Sequence, residues 1–256
     1  MFPMGRRIKI INFITFKNVT KSYFVKGTTV TAVDNINLDV LKGDIISIVG
    51  YSGCGKTTLL HLIGKLEQPD NGGIQFLEKA QRTGFVFQQH RLLRAKTIEK
   101  NLMLALKHLP CSGSKSQLLN EILSILNLNE FRHAYPHQLS GGMAQRVSLG
   151  RALCRQPDLL LMDEPFSALD ALIRRNMQEE LVRIYLKKKM TTVFVTHDVS
   201  EAVYLGRKIL IMDMGQIVRK VNVPFPYPRN ISSPEFIKIR DSILNTIYTA
   251  NSTLCS

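Results

Sequence analysis

Short runs of aliphatic and β-branched residues occur at four places along the chain and predict buried strands. They are Ile45–Val49, Leu159–Met162, Thr192–Thr196 and Lys208–Met212. Runs of this length that are apolar at nearly every position are typical of strands covered on both faces in a parallel sheet. The four runs therefore indicate the core strands of an α/β fold.

The N-terminal part of the chain predicts further β segments. Ile14–Val19, Thr28–Val33 and Ile36–Val40 are rich in β-branched residues, and polar turn residues separate them. Such short runs bounded by turn residues are typical of strands. We therefore expect two or three β segments before the first buried strand.

Apolar residues at helical spacing predict six helices among these strands. After Ile45–Val49, for example, Leu59, Leu60, Ile63 and Leu66 recur with the period of a helix. The predicted helices are Thr57–Leu66, Thr97–His108, Gln117–Leu128, Gly141–Arg155, Ala171–Lys188 and Val199–Leu205. Helices that alternate with buried strands are typical of a parallel α/β sheet. Beyond Val223 the chain is rich in proline and ends in an amphipathic stretch, which we expect to wrap the surface.

Composition and charge exclude several classes of protein. The chain has 256 residues, 45% of them apolar, which is typical of a globular protein. It has no run of about 20 apolar residues, so we do not expect it to cross a bilayer, and Met1–Phe16 is interpreted as the entry to a strand. Four widely spaced cysteines predict neither a disulfide framework nor a zinc site. The net charge of +14 is compatible with nucleic acid, an anionic membrane or an anionic ligand, but it is spread over both halves of the chain.

Residues 50–57 carry the strongest chemical signal, because they match the pattern G-x-x-x-x-G-K-[ST] between a predicted strand and a predicted helix. Glycines allow backbone N–H groups to surround phosphate oxygens at a helix N-terminus. Lys56 would reach the β- and γ-phosphates of a nucleotide, and the hydroxyl of Thr57 would bind Mg²⁺. The candidate nucleotide-binding residues are Gly50, Ser52, Gly53, Cys54, Gly55, Lys56, Thr57 and Thr58. For Cys54 two interpretations stay open, a reactive thiol or a small residue tolerated in the loop.

An acidic pair follows the predicted strand Leu159–Met162. Asp163 would lie at the carboxyl end of a parallel strand beside the phosphate loop, where it could hold Mg²⁺ through water. Glu164 follows it and could orient or deprotonate the attacking water. Alone, such a pair is compatible with a solvated turn, but together with the phosphate loop it predicts a catalytic site.

A second glycine motif, Leu-Ser-Gly-Gly-Met-Ala-Gln-Arg, occupies residues 139–146. With it the chain resembles the ATP-binding cassette family, the nucleotide-binding subunits of ABC transporters, over residues 14–220. Ser140, Gly141 and Gly142 at a helix N-terminus would form another anion-binding surface. In that family this surface closes on the γ-phosphate held by the opposite subunit. The resemblance therefore implies a head-to-tail dimer with a second copy of the chain and two ATP molecules between them.

Four further residues match single positions of that family, and their roles are implied by the resemblance. Tyr23 corresponds to the aromatic residue that stacks on adenine, and the alternative is a strand aromatic in the core. Gln88 corresponds to the glutamine that contacts Mg²⁺ and the attacking water. His197 corresponds to the histidine that contacts the γ-phosphate, and Asp170 to the loop between the two sites. The catalytic set would then be Lys56, Gln88, Glu164 and His197, with Thr57, Gln88 and Asp163 at the metal.

The resemblance also implies the architecture. It predicts an α/β fold with a P-loop NTPase core of mixed, mainly parallel sheet, an N-terminal antiparallel β subdomain and an inserted α-helical subdomain. A single ATPase domain would cover residues 14–220, with its RecA-like core at about 14–88 and 157–220 and the helical subdomain at about 89–156. Residues 221–256 would form a C-terminal tail.

Within the family the chain is most similar to the importer subunits for nitrate, sulfonates and taurine. The features are the segments Asp163–Ala171 and His197–Ala202 and the tail segments Pro226–Arg229 and Ser233–Phe236. This similarity implies an ATPase at the cytoplasmic face of the membrane that powers anion uptake through an integral-membrane permease. A periplasmic or surface solute-binding protein would act indirectly. The alternatives are a soluble ABC-type ATPase acting on nucleic acid or ribosomes and an exporter ATPase, but a single cassette favours a transporter without a nucleic-acid partner.

Overall fold

The described part of the chain contains two β-sheets. The structure, a computed structural model, describes residues 12–77, 82–107 and 114–252, and of residues 251 and 252 it describes the backbone only. The interpretation of residues 1–11 and of Cys111 and Cys255 therefore lies outside the described residues. The strands are β1 (Asn12–Val25), β2 (Thr28–Leu41), β3 (Ile45–Val49), β4 (Asn71–Phe76), β5 (Thr83–Val86), β6 (Leu159–Asp163), β7 (Thr191–Val195), β8 (Lys208–Asp213) and β9 (Gln216–Asn222).

Helices connect and cover the strands. Within the described ranges they are α1 (Lys56–Ile63), α2 (Ile98–Leu106), α3 (Lys115–Ile125), α4 (Gly141–Cys154), α5 (Ala171–Lys188), α6 (Val199–Leu205) and α7 (Pro234–Ser252). The six predicted helices are confirmed, and α5 and α6 have the predicted bounds. The predicted helix Thr57–Leu66 is too long, because α1 ends at Ile63, its C-cap is Gly64, and Lys65 adopts a left-handed φ of 56°. None of the helices described has the combination of length and apolar character that a membrane span requires.

The first sheet is antiparallel, in the order β2-β1-β4. Its hairpin turns at Lys26 and Gly27, which both have positive φ values. The predicted break between Thr28–Val33 and Ile36–Val40 is wrong, because β2 continues through both segments. The polar residues between them form an irregularity inside the strand, where Asn35 has a φ of 47° and accepts a hydrogen bond from Asn18 across the hairpin at 2.9 Å.

The second sheet has the order β5-β6-β7-β3-β8-β9, with only the β8–β9 pair antiparallel. The residues of β3, β6 and β7 are all buried, as their continuous apolar runs predict. Alternate residues of β3 enter different cores: Ile46 and Ile48 pack in the cluster shared with the antiparallel sheet, whereas Ile45 and Val49 pack in the cluster shared with helices.

Helices α2, α3 and α4 lie in the chain between β5 and β6 and pack together. Gly150 of α4 permits this approach, because a Cβ atom there would lie 2.5 Å from Leu126 and 2.9 Å from Leu102. After β9 the chain returns to the core, where α7 packs on α6 and β8 and buries Phe236 and Ile243. The predicted fold, a mainly parallel core sheet with an antiparallel N-terminal sheet and inserted helices, is confirmed.

Candidate nucleotide site

The predicted chemical residues come from the carboxyl ends of neighbouring parallel strands. The glycine-rich loop follows β3, Asp163 ends β6, and Glu164 follows it. Gln88 lies two residues beyond β5, and His197 lies two residues beyond β7. Because the strands are parallel, these ends meet at one edge of the sheet, which is where open α/β sheets bind ligands.

Residues of the loop together with Gln88, Glu164 and His197 belong to the lining of a cavity of about 460 Å³, which Asp163 does not line. Ten of the residues named from the sequence line it, together with Ala32 and Val195, which the sequence analysis did not identify. The lining residues are Tyr23, Ala32, Ser52, Gly53, Gly55, Lys56, Thr57, Thr58, Gln88, Glu164, Val195 and His197. The antiparallel sheet thus contributes Tyr23 and Ala32 to a cavity whose other walls belong to the second sheet.

The loop between β3 and α1 folds around the side chain of Lys56, whose ammonium group donates to the carbonyl oxygens of Gly50 at 2.9 Å and Tyr51 at 2.6 Å. Gly55, just before α1, has a φ of 101° and no room for a side chain. The loop therefore needs glycine for its backbone path, and its helix N-terminus faces a cavity suited to an anion.

Gly50 and Cys54 belong to the loop but do not line the cavity. The Cys54 side chain is buried, and its sulfur lies 3.8 Å from Lys56 Nζ. Burial raises the pKa of its thiol, although Lys56 opposes that effect. The structure therefore favours the interpretation of Cys54 as a small packing residue over a reactive thiolate.

Asp163 lies at the acidic side of the site and is buried. The hydroxyl of Thr57 donates toward its carboxylate, at 3.1 and 3.2 Å from the two oxygens. Burial raises the pKa of Asp163, while the Thr57 hydrogen bond and the charges of His61 and Lys56 oppose this shift. The two predicted metal ligands Thr57 and Asp163 are thus adjacent.

Glu164 follows β6 and lines the cavity together with Gln88 and His197. Its backbone has a φ of 47°, an uncommon conformation that turns the chain sharply after β6, and its N–H donates to the carbonyl of Val195 at 3.0 Å. One carboxylate oxygen accepts from Gln88 Nε2 at 3.4 Å, and the other lies 3.3 Å from His197 Nδ1. Glu164 therefore contacts two other predicted catalytic residues, Gln88 and His197.

The residues of the second glycine motif lie apart from this cavity. Ser140 is the N-cap of α4 and accepts from the N–H of Met143 at 3.2 Å. Gly142 lies against Leu169, and Asp170 is the N-cap of α5. None of the residues Ser140, Gly141, Gly142 and Asp170 lines the nucleotide cavity of its own chain.

The two lining residues that were missed carry no chemical signal. Ala32 is an unremarkable position of β2, and its carbonyl oxygen would lie 1.8 Å from a Cβ atom on Gly55. Val195 is the last residue of β7. Only the pairing of distant strands brings them to the loop, so no local pattern could have identified them.

A glycine-rich loop between a parallel strand and a helix, with an acidic residue at the end of another parallel strand of the same sheet, defines a P-loop nucleotide hydrolase. Comparison with known proteins specifies the family. The family model described as "ABC transporter" matches residues 33–167.

Relatives and solved structures agree with that match. An aliphatic sulfonates import ATP-binding protein of Bacillus cereus is 42% identical over 237 residues, covering 89% of this chain and 93% of the relative. An uncharacterized ABC transporter ATP-binding protein of Methanocaldococcus jannaschii is 40% identical, covering 90% of each. An ATP-binding cassette solved as a dimer in a post-hydrolysis state, bound to ADP and Pi, superposes with a TM-score of 0.76 at 31% identity, covering 83% of this chain and 100% of that one. The chain belongs to the ABC transporter ATP-binding family and is an ATPase cassette.

Proposed function

We propose that this cassette is the ATP-hydrolysing subunit of an importer that carries a small anion, similar to nitrate, a sulfonate or taurine, through a partner permease. One observation carries the proposal: the similarity to sulfonate import ATP-binding proteins extends over about nine-tenths of both chains. A relative from Bacillus subtilis with that description is 38% identical over 241 residues, covering 91% of this chain and 93% of the relative.

Nucleotide binding is assigned to the cavity residues. The loop from Gly50 to Thr58 would hold the phosphates, with Lys56 exchanging its carbonyl partners for phosphate oxygens. Tyr23 would stack on adenine, which is supported by its position on the cavity wall. The base and the triphosphate would thus lie between the two sheets.

Magnesium is the metal that the residues fit. Thr57 and Asp163 offer a hydroxyl and a carboxylate within 3.2 Å of each other, and such oxygen ligands suit Mg²⁺ when water and phosphate oxygens complete its coordination. Gln88, whose side chain also lines the cavity, would be a third ligand. The bound ion would neutralise charge on the phosphates.

Hydrolysis would proceed by in-line attack of water on the γ-phosphate. Glu164 would orient and deprotonate that water, since its carboxylate lines the cavity. Gln88 and His197 contact the two oxygens of this carboxylate and would hold it in place. His197 would also reach the γ-phosphate.

A second copy of the chain would complete each site. Ser140, Gly141 and Gly142 begin a helix of 14 residues, whose N-terminus suits an anion. Because these residues do not line their own cavity, we infer that they face the γ-phosphate of a head-to-tail partner, with Asp170 in the connecting loop. The solved dimers of related cassettes support this proposal.

The proposed location is the cytoplasmic face of the cell membrane, where the cassette would bind integral-membrane permease subunits peripherally. A periplasmic or surface solute-binding protein would deliver the anion and contact the cassette only indirectly. Closure of the dimer on two ATP molecules and its reopening after hydrolysis would drive the permease between inward and outward states.

Co-expression with permease subunits of anion importers tests this function. We expect pull-down of the permease and ATP-dependent uptake of nitrate, an alkanesulfonate or taurine, but not of an unrelated neutral sugar. Failure to bind any membrane subunit would favour the soluble ATPase, and ATP-dependent efflux would favour an exporter.

Glu164→Gln tests the assignment of the base. We expect hydrolysis to slow by about 10²–10⁴-fold while ATP still binds, because the amide keeps the shape but does not take a proton. Turnover is measured by phosphate release and affinity by equilibrium titration. Near-normal turnover would remove Glu164 from this role.

A further inference from the structure

The loop after α1 reaches back to the candidate adenine-binding residue. The Tyr23 hydroxyl donates a hydrogen bond to Oε2 of Glu67. The other oxygen of Glu67 lies 3.0 Å from Nδ1 of His61 on α1. One carboxylate therefore joins β1 to α1, the helix that begins at the phosphate loop with Lys56.

A second acidic residue, Asp70, forms hydrogen bonds with the same part of β1. Asp70 accepts from Lys21 Nζ at 2.7 Å and from the N–H of Ser22 at 2.7 Å. These contacts hold the backbone immediately before Tyr23, and the Lys21 ammonium lies 5.6 Å from the centre of the Tyr23 ring. At the tip of the Tyr23 side chain Glu67 is a charged acceptor, and the Thr58 side chain also hydrogen-bonds the Tyr23 hydroxyl.

Glu67 and its partner His61 are largely covered by neighbouring side chains. Glu67 and His61 have side chains that are only about a quarter exposed, at 26% and 24%. The His61 ring lies 5.8 Å from that of Phe85, and the Phe85 and Phe87 rings stack at 4.2 Å. Burial, followed by the Glu67 hydrogen bond, raises the pKa of the Tyr23 hydroxyl, so this group stays a proton donor at neutral pH.

We propose that Glu67 is a positioning residue that fixes the orientation of the Tyr23 ring relative to the phosphate loop. This inference rests on the proposed stacking of adenine on Tyr23. Stacking uses a face of the ring, whereas the hydroxyl lies in the ring plane, so Glu67 restrains the ring without covering a face. A ring that is already ordered loses less rotational freedom when the base binds.

Binding of two ligands separates positioning from general stability. ATP uses both the base and the phosphate parts of the cavity, whereas inorganic triphosphate uses only the loop. We expect Glu67→Ala to weaken ATP binding about 3- to 10-fold and to leave triphosphate affinity unchanged, as measured by calorimetry with Mg²⁺ present. Glu67→Gln, which still accepts from the Tyr23 hydroxyl, should retain most of the affinity.

Tyr23→Phe removes only the hydroxyl and therefore tests the Tyr23–Glu67 contact without changing Glu67. It serves as the test even if Glu67→Ala does not fold. Tyr23→Phe should weaken ATP binding at least as much as Glu67→Ala, since it also removes the hydrogen bond with Thr58. The loss in the double variant should be smaller than the sum of the two single losses, because both substitutions remove the Tyr23–Glu67 contact. Glu130→Ala, a substitution of an exposed glutamate beyond the helices α2 and α3, is the matched control.

The outcomes distinguish this inference from the function on which it rests. The positioning role alone would be overturned if Glu67→Ala lost ATP and triphosphate affinity equally. It would also be overturned if Glu67→Ala and Tyr23→Phe bound ATP with wild-type affinity while Tyr23→Ala bound it weakly. Unchanged ATP affinity in Tyr23→Ala would overturn the stacking assignment itself.

Discussion

Gly55 lies where the phosphate loop meets β2, and its surroundings exclude a side chain. Its φ is 101°, and a Cβ atom would lie 1.8 Å from the carbonyl oxygen of Ala32. The left-handed conformation alone costs about 1–2 kcal/mol for an L-residue. We expect Gly55→Ala to lower the free energy of unfolding by about 3 kcal/mol or more, measured by urea denaturation, because strain and overlap add.

Gly53 in the same loop is the control for this prediction. Its φ of 81° is also left-handed, but nothing lies within 4 Å of a Cβ atom there. Gly53→Ala should therefore lose only about 1–2 kcal/mol. Equal losses in the two variants would show that contact with Ala32 does not limit the loop.

The sequence identifies residues of the site that belong to contiguous motifs, and it misses those that arrive by tertiary contact. Lys56, Thr57 and Glu164 stand in local patterns with a chemical reason for each residue type. Glu67 lies in a turn without any such pattern, and its link to Tyr23 exists only because β1 pairs with β4 beside the end of α1. The spacing along the chain contains no information about that contact.

At the scale of elements, Arg229 joins the C-terminal segment to α6. Its guanidinium is buried, and Nη1 donates to the carbonyls of Val203 and Gly206 at 2.6 Å each. These carbonyls lie at the C-terminal end of α6, where the helix has no partners of its own. The guanidinium also packs 4.3 Å from the centre of the Tyr227 ring.

We expect Arg229→Ala to lower the free energy of unfolding by about 2–4 kcal/mol, because it leaves buried carbonyls without donors. Limited proteolysis should then cleave before α7 faster than in the wild type. Arg240→Ala, which removes a partly exposed arginine paired with its neighbour Asp241, should change stability by less than about 0.5 kcal/mol. A comparable loss in both variants would contradict the anchoring role.

Glu201 joins α6 to β7 and α5 and gives stability a pH dependence. It accepts hydrogen bonds from Thr196 and from Gln178, the latter at 3.1 Å. Burial raises its pKa, Asp198 raises it further, and Thr196, Gln178 and Arg174 oppose the shift. The folded state therefore binds a proton more tightly than the unfolded state, and stability falls as pH rises from the unfolded pKa of about 4.3 to the folded pKa.

Glu201→Gln removes this titration. We expect the variant to gain stability relative to the wild type as pH rises through that window, and the difference to level off above it, in urea unfolding at several pH values. Asp163, whose pKa is also raised, is present in both proteins and cancels. A difference independent of pH would show that Glu201 does not titrate within this range.

The hydrophobic periodicity predicted some helices with their correct bounds but did not identify the strands β4 and β5. The bounds of α5 and α6 follow from their N-caps Asp170 and Asp198, which accept from the first turn of each helix. By contrast β4 contains Gly72 and Gly73, and β5 has four residues, so neither forms a recognisable run. These strands exist because a partner strand supplies their hydrogen bonds, and such long-range pairing is not visible in a local pattern.

At the scale of the whole molecule, the nucleotide cavity lies between the two sheets. Tyr23 and Ala32 belong to the antiparallel sheet, whereas Lys56, Glu164 and His197 follow strands of the parallel sheet. A ligand in the cavity contacts both sheets, so its binding energy opposes their separation. Lys56, one of the 34 basic residues behind the net charge of +14, is buried at the cavity where we propose that the triphosphate binds.

Occupation of this cavity should therefore stabilise the fold as a unit. A ligand that binds only the folded state at about 100 times its Kd adds about 2.7 kcal/mol, which corresponds to an increase in Tm of about 5–10 °C for a domain of this size. We expect this increase with a non-hydrolysable ATP analogue and Mg²⁺ in differential scanning calorimetry. Lys56→Ala, compared with its own ligand-free Tm, should lose the shift, whereas Arg240→Ala should keep it. An undiminished shift in Lys56→Ala would place the nucleotide outside the loop, since the substitution removes the ammonium group that we expect to contact the phosphates there.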